Sequence, residues 1–500
     1  MWRTDSYSLS KFGWQTLKNI ISIIILFILS VYVVYFIGQS FSKIFFLVLL
    51  LLFLLSKRDY FWFAFFFILA QGPGNFFANF SGTSQYRLPS YTFLSGFSFN
   101  PLDFFVILAF LKAILKGKRT KLKLKRPLIL ILIYIIFSFV ITSFIFGTNA
   151  DILAWNLRWL FYYSIIISFS YLVTKKDEVY HFILLVFPFV FFILFTQIYY
   201  IRASNEFINL FDPGFRGIVL NTVTGELRPD ISNGVLLVFF SFIFALFLLQ
   251  NKDFRLSKVY LYLIITTSFF SIFISATRLW SVIFSFILMG YVLVSKRKIL
   301  SVVGIAGSLF VILSVLSYLG LTPSDLLLGS AWKRVSQVSY IAKGNIYIVD
   351  TARSRFFDQL PIILEQIKQN PLTGYGVSEI TMEYCNNNLG FVNTILMFGI
   401  FGLSLFIYFF IKYFSMISTF IKRFDNNPFK NSLKIMAIVW VGILIGYFST
   451  WDFFTYYFYK TFFISILIAI TEFFIREAEE LSMSRQIPTL SELMISQTGK

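Results

Sequence analysis

Long apolar stretches follow one another along this chain, separated by short polar joints. Backbone groups placed in lipid must satisfy one another within the segment, so each stretch predicts a helix. The pattern gives about fourteen: 19–37, 41–56, 60–71, 101–115, 127–146, 157–174, 179–200, 233–250, 259–275, 279–295, 299–320, 391–412, 435–450 and 456–475. Several are short for a full crossing, which sets the expected number of spans at 12–14. The fold class expected is an all-α polytopic membrane protein. Residues 1–476 form one membrane domain, and 477–500, polar and carrying Pro488, form a disordered cytoplasmic tail.

Composition supports the bilayer as the solvent. The 500 residues are 58% hydrophobic and include 68 phenylalanines, with a mean hydropathy of +0.78. No soluble core hides that many apolar side chains. The formal net charge of +19 would suggest nucleic acid in a soluble protein. Here Lys and Arg mark the loops of one membrane face, and no nucleic-acid partner is expected. Cys385 is the single cysteine and His181 the single histidine, so neither an intrachain disulfide nor a His/Cys metal site is expected.

Charge also orients the helices. With the N-terminus inside and alternating crossings, inner segments hold 29 of the 43 Lys+Arg and 11 of the 24 Asp+Glu, while outer segments hold 13 of each. The excess therefore falls on one face, as the positive-inside rule requires, and both termini are cytoplasmic. The run Lys116 to Arg126 reads as a topology anchor near anionic lipid. The spans themselves read as nearly uncharged, with Lys460 the exception. A flippase should instead line a central route with charge.

Four outer segments are large enough to build a site: 72–100, 147–156, 201–232 and 321–390. In the last of these, Phe356, Phe357, Leu360, Ile363, Leu364 and Ile367 recur at helical spacing and predict an amphipathic helix lying along the membrane or over a cavity. Pro361 either kinks that helix or marks its first turn. Arg353 and Arg355 stand at its start, and Gly374 and Gly376 allow a tight turn after it. Arg278 sits where two apolar runs meet with almost no loop. It is either a functional cation or an interfacial arginine that snorkels to headgroups. Arg216 and Arg228 are further phosphate-binding candidates, each with an acidic neighbour that offers an ordinary ion pair instead. Asp151, Glu379, Glu383 and Asp452 are outer carboxylates, and their spacing selects none as a general base.

These residues resemble a family. Ser275-Ala276-Thr277-Arg278 resembles the serine–arginine segment at a span start in bacterial O-antigen ligases and O-antigen polymerases. The stretch from Arg355 to Asn370-Pro371-Leu372-Thr373-Gly374-Tyr375-Gly376 resembles their arginine, amphipathic helix and Pro-Leu-x-Gly-x-Gly element. Asn388-Leu389-Gly390-Phe391 through Gly399-Ile400-Phe401-Gly402 resembles their His-Asn-x-Tyr-Leu … Gly-x-x-Gly lead into the next span. The match covers roughly 275–402. It departs from the ligases at Asn388, which stands in place of their histidine; Cys385, Asn386 and Asn387 supply none either. That departure favours the polymerase branch.

The resemblance implies a glycosyltransferase C-like fold in the bacterial inner membrane, with the active site facing the periplasm or exterior. It implies an inverting, metal-independent enzyme without a cofactor. Such an enzyme joins undecaprenyl-diphosphate-linked repeat units into O-antigen, capsule or exopolysaccharide. Its partners would be the lipid-linked glycan donor and acceptor, membrane lipid and a chain-length regulator. Arg278, with Arg216 or Arg228, would hold the leaving diphosphate, which arginines stabilise in place of a metal. Arg353 and Arg355, with the Gly374–Gly376 turn, would support substrate binding, and Asn388 would orient the acceptor. Ligation of the glycan to another acceptor, or flipping of the lipid-linked oligosaccharide, are the alternatives.

Overall fold

The computed structural model describes residues 9–72, 88–94, 97–118, 120–146, 158–205, 218–220, 227–229, 234–251, 256–275, 277–295, 298–318, 332, 337, 343–344, 353–385, 389–423, 429–448 and 458–486. They are almost wholly helical. Every apolar run read from the sequence overlaps a helix. Among the described residues, five helical stretches are long and apolar enough to cross a membrane, and six more are apolar but only 10–17 residues long. This is the architecture of an all-α membrane protein.

The first half begins with α1 (Leu9–Tyr32), a π-helical turn (Val33–Ile37), α2 (Gln39–Leu55) and α3 (Asp59–Ala70). A hairpin, β1 (Tyr91–Leu94) with β2 (Phe97–Phe99), leads into α4 (Pro101–Lys116). Then come α5 (Lys125–Phe146), α6 (Ser164–Leu172), α7 (Lys176–Val186) and α8 (Pro188–Asn205). The run expected as one span over 179–200 lies within Lys176–Tyr199, one of the five stretches long enough to cross; Pro188, which has no N–H to give, interrupts its hydrogen-bond ladder where α7 passes into α8. A second hairpin pairs β3 (Ile218–Leu220) with β4 (Leu227–Pro229).

The second half holds α9 (Val235–Gln250), α10 (Lys258–Ile274), α11 (Arg278–Val294) and α12 (Lys298–Tyr318). A π-helical stretch (Ser354–Gln359) runs into α13 (Leu360–Gln369), followed by α14 (Glu379–Tyr384), α15 (Gly390–Arg423), α16 (Lys430–Tyr447) and α17 (Phe458–Gln486). The expected disordered tail is corrected at its start, since α17 continues as helix ten residues past Arg476, to Gln486.

Burial separates the helices by role. α3 and α9 are apolar all round, and nearly all their residues are buried, as expected of helices that other helices enclose. Phenylalanine fills the spaces between them. The Phe66 and Phe105 rings stack at 4.2 Å, and Phe67 packs against Phe182, Phe240 and Phe462. By contrast, α2, α5 and α15 each keep a stripe of large exposed apolar residues, including Leu51, Ile133 and Ile411. Such faces belong against lipid tails.

The reading of the spans as nearly uncharged is also corrected. Asp103, Lys112 and Glu472 lie within apolar helices and are buried at 4, 6 and 5% exposure. Each is consumed by specific partners. Lys112 Nζ donates to the carbonyls of Phe53 and Ser56, at 2.7 Å each, and to Asp59 Oδ1 at 2.6 Å. It therefore caps the open end of α2 and ties it to α3. Glu472 accepts the backbone N–H groups of Lys123 and Leu124, satisfying donors that precede the first turn of α5. Asp103 accepts Arg158 Nε at 2.6 Å and pairs with Nη2 at 2.5 Å, and the Tyr162 hydroxyl donates to it at 2.8 Å. Asp103 also closes a capping box with Asn100. Arg158 and Tyr162 lie on the chain segment leading into α6, so this network joins α4 to it.

A buried charge left without its partner costs about 3–5 kcal/mol, whereas removal of both partners costs much less. Asp103→Asn and Arg158→Met are each expected to lower the thermal unfolding midpoint of the purified protein. The double substitution should lower it by less than the sum of the two. Strict additivity in that cycle would show that the pair does not couple the helices.

Candidate functional site

Two features that hold candidate residues are built from described residues. The first is the start of α11. The α10 helix ends at Ile274, and Ser275 closes it, its hydroxyl donating to the Ile272 carbonyl at 2.6 Å. Thr277 is extended, and Arg278 opens α11 as its first residue. The Ser275 and Thr277 hydroxyls bond each other, and Arg278 Nη2 donates to the side-chain oxygen of Gln337 in the large loop. Arg278 is half-buried. A cation at a helix N-terminus faces the positive end of the helix dipole, which opposes it by roughly 0.3–1 kcal/mol. Hydroxyls, the N–H groups of a helix's first turn and a guanidinium gathered at one helix start form a positive locus that suits an anion.

The second feature is a seam between the loop and α15. Helix α15 breaks at Gly399, where φ is 64° and ψ −171°. The break leaves carbonyls and N–H groups without their usual partners four residues away, and the turn after α13 takes their place. Tyr375 N–H donates to the Leu396 carbonyl at 2.8 Å and Gly376 N–H to the Met397 carbonyl at 2.7 Å. In the other direction Ile400 N–H donates to the Pro371 carbonyl at 2.9 Å and Phe401 N–H to the Leu372 carbonyl at 3.2 Å. The Tyr134 hydroxyl of α5 donates to the Phe398 carbonyl at 2.7 Å.

Local residues hold the turn in shape. Asn370 Nδ2 donates to the Gly374 carbonyl at 2.6 Å, and the Tyr375 hydroxyl donates back to the Gln366 carbonyl at 3.1 Å. Gly374 and Gly376 have φ of 67° and 58°, in the left-handed region that favours glycine. Both are buried. A Cβ on Gly374 would stand 2.6 Å from the backbone of Met397 and Gly399, and one on Gly376 would overlap the Thr142 hydroxyl of α5. Backbone of α15 at Gly374 and the Thr142 side chain at Gly376 fill the space a Cβ would take, so both glycines pack tightly against the bundle.

The seam also positions the amphipathic helix. Pro361 falls in the first turn of α13, two residues after the π-helical stretch ends. Ile363 is buried beside Tyr375, Leu389 and Leu396, with Leu360 and Ile367 packed around them. Phe356, Phe357 and Leu364, expected on the same stripe, are 42–44% exposed. Only part of the stripe thus meets the bundle. Arg353 is exposed at the start of the π-helical stretch. Arg355 is half-buried, and burial draws its guanidinium pKa below the ordinary value.

The remaining expectations divide. Arg216 and Asn388 lie outside the described residues, as do Asp151 and Asp452. Arg228 sits in β4 opposite Val219, and its side chain lies outside the described set. Glu379 and Glu383 are exposed on α14. His181 Nδ1 donates to the Asp177 carbonyl at 2.6 Å and its ring packs against Tyr60, so it ties α7 to α3. Sequence reasoning missed Arg158 and Gln337. Arg158 carried one legible signal: it opens an apolar run directly after an outer segment, the position at which an arginine needs a partner. Gln337 carried none.

The chain matches no protein-family model and no curated protein sequence.

The glycine geometry is directly testable. Gly374→Ala and Gly376→Ala are both expected to lower the unfolding midpoint, since each combines strain with overlap. Thr142→Ala should partly restore Gly376→Ala, because the overlapping atom is a side-chain oxygen. It should leave Gly374→Ala unrepaired, because that glycine faces backbone. Equal rescue of both would contradict the packing described.

Proposed function

We propose that this chain is a membrane glycosyltransferase of the O-antigen polymerase type, joining undecaprenyl-diphosphate-linked repeat units at the outer face of a bacterial inner membrane. The observation that carries the reading is the half-buried Arg278 at the start of α11, bonded to Gln337 of the large loop. Further support comes from the basic bias of one face and from the turn after α13, whose backbone bonds to α15. The span number of 12–14 and the glycosyltransferase C-like fold belong to this proposal, as do the orientation and the partners implied by the resemblance.

In this reading the acceptor sugar hydroxyl attacks the anomeric carbon of the donor glycan. The bond from that carbon to the diphosphate oxygen breaks, and the departing lipid diphosphate takes the electron pair. Negative charge grows on the leaving group, so a fixed cation aimed there lowers the barrier more than it stabilises the bound substrate. Arg278 fills that role, with Arg216 or Arg228 as a second cation and Arg353 and Arg355 in support. Asn388 orients the acceptor. The proton of the attacking hydroxyl passes to a base that no described residue identifies.

The flippase alternative gains no support from the buried charges. Asp103, Lys112 and Glu472 are each taken up by hydrogen bonds between helices rather than lining an open route.

Deletion of the gene followed by analysis of lipid-linked glycans separates the readings. A single repeat unit per lipid is the expected result. Long chains stranded on the lipid would indicate a ligase, and repeats trapped on the cytoplasmic leaflet a flippase. Arg278→Ala is expected to reproduce the deletion at normal protein level, with polymer formation falling by roughly 100-fold or more, as for loss of one preorganised electrostatic contact. Normal polymer in that variant would remove Arg278 from the mechanism.

A further inference from the structure

A cleft of about 340 Å³ lies between the first turn of α5 and the second half of α15. Lys123, Arg126, Tyr408, Lys412 and Ser415 are among the residues that line it. It sits at the basic end of the bundle, far along α15 from the Gly399 seam, and takes no part in the site described above. Its cations are not all consumed. Lys123 pairs with Glu479 of α17, and Lys412 lies over the Tyr408 ring at 5.6 Å. Among the described residues no carboxylate pairs with Arg126 or Lys412. The other nearby acid, Glu472, accepts the Lys123 and Leu124 backbone N–H groups. The cleft is therefore cationic, with hydroxyl donors beside the charges.

The same pair of helices carries a second hollow one to two turns further along. Leu128, Ile131, Phe406 and Phe409 line it, with Ile464 and Ile468 of α17. It is narrow, about 20 Å³, and almost wholly apolar. Beside both hollows, Ile129, Leu130 and Ile133 of α5 and Ile407 and Ile411 of α15 are exposed, as on a surface that meets lipid. The molecule that matches this order, cationic pocket and then apolar groove along a lipid-facing seam, has an anionic phosphate at one end and a hydrocarbon chain at the other.

We propose that the α5–α15 cleft binds the headgroup of an anionic phospholipid, with Arg126 and Lys412 on the phosphate and the start of an acyl chain against the apolar hollow above. Arg126 supplies directed N–H donors to the phosphate oxygens, and Lys412 supplies a point charge. Basic pockets between helices near a headgroup layer are suited to this task. The proposal does not depend on glycosyl transfer and stands or falls separately from it.

The test uses the full chain in nanodiscs of phosphatidylcholine alone or with phosphatidylglycerol, reading the unfolding midpoint and, by native mass spectrometry, the retained lipid. Phosphatidylglycerol should raise the midpoint by a few degrees and be retained preferentially. The double variant Arg126→Gln/Lys412→Gln should lose that preference, with retention weakened roughly 30-fold for two interfacial cations. Ser415→Trp, which fills the cleft while keeping every cation, should lose it too. Lys118→Gln/Lys121→Gln removes two charges from the same basic run outside the cleft and should keep it. Inorganic phosphate added to phosphatidylcholine discs should have no effect. The proposal is overturned if both cleft variants keep the preference. It is equally overturned if the Lys118/Lys121 variant loses as much, or if inorganic phosphate reproduces the stabilisation.

Discussion

The backbone bonds between the Pro371–Gly376 turn and the broken turn of α15 hold α13 and the turn after it onto the bundle. A helix interrupted inside an apolar bundle exposes carbonyls and N–H groups that have no water to turn to, at a cost of several kcal/mol for each unmet group. The turn answers four of them, two in each direction. The arrangement requires glycine on both sides, because Gly374 and Gly399 approach closer than any Cβ permits. Once the turn is fixed, Tyr375 and Ile363 fix α13, and with it the segment that carries Arg353 and Arg355.

Charge in this protein is sorted by how it is satisfied. The ionic groups buried between helices are bonded to one another or to helix ends. Asp103 holds Arg158, Lys112 caps α2, and Glu472 receives the N–H groups leading into α5. These contacts fix helix neighbours in a setting where apolar side chains gain little by preferring each other to lipid. Arg278, bonded to Gln337 at the start of α11, and Arg126 and Lys412, which line the basic cleft, stand apart from these contacts between helices.

That division gives the proposed chemistry its physical frame. Transfer from a lipid diphosphate needs positive charge held rigidly near the headgroup layer, where the leaving group remains anchored by its own chain. A cation at a helix start, held by a side-chain hydrogen bond to Gln337, loses little further freedom when the substrate arrives.

The sequence by itself determined the helices, because each apolar run long enough for lipid has only one way to satisfy its backbone. It also determined the amphipathic stripe around Ile363, and it marked Arg278 as a residue set at the meeting of two runs. Tertiary structure decided the rest. Asp103 and Arg158 are 55 positions apart, and Arg278 and Gln337 are 59 apart, so no local pattern announces either pair. Gly374 and Gly376 were legible as a turn, yet their use as a seat for α15 was not. That role exists only because Gly399, in another element, breaks its own helix at the matching height. Periodicity reports what a segment does alone in its solvent, while the function of a polar group or a glycine depends on what the folded chain brings against it.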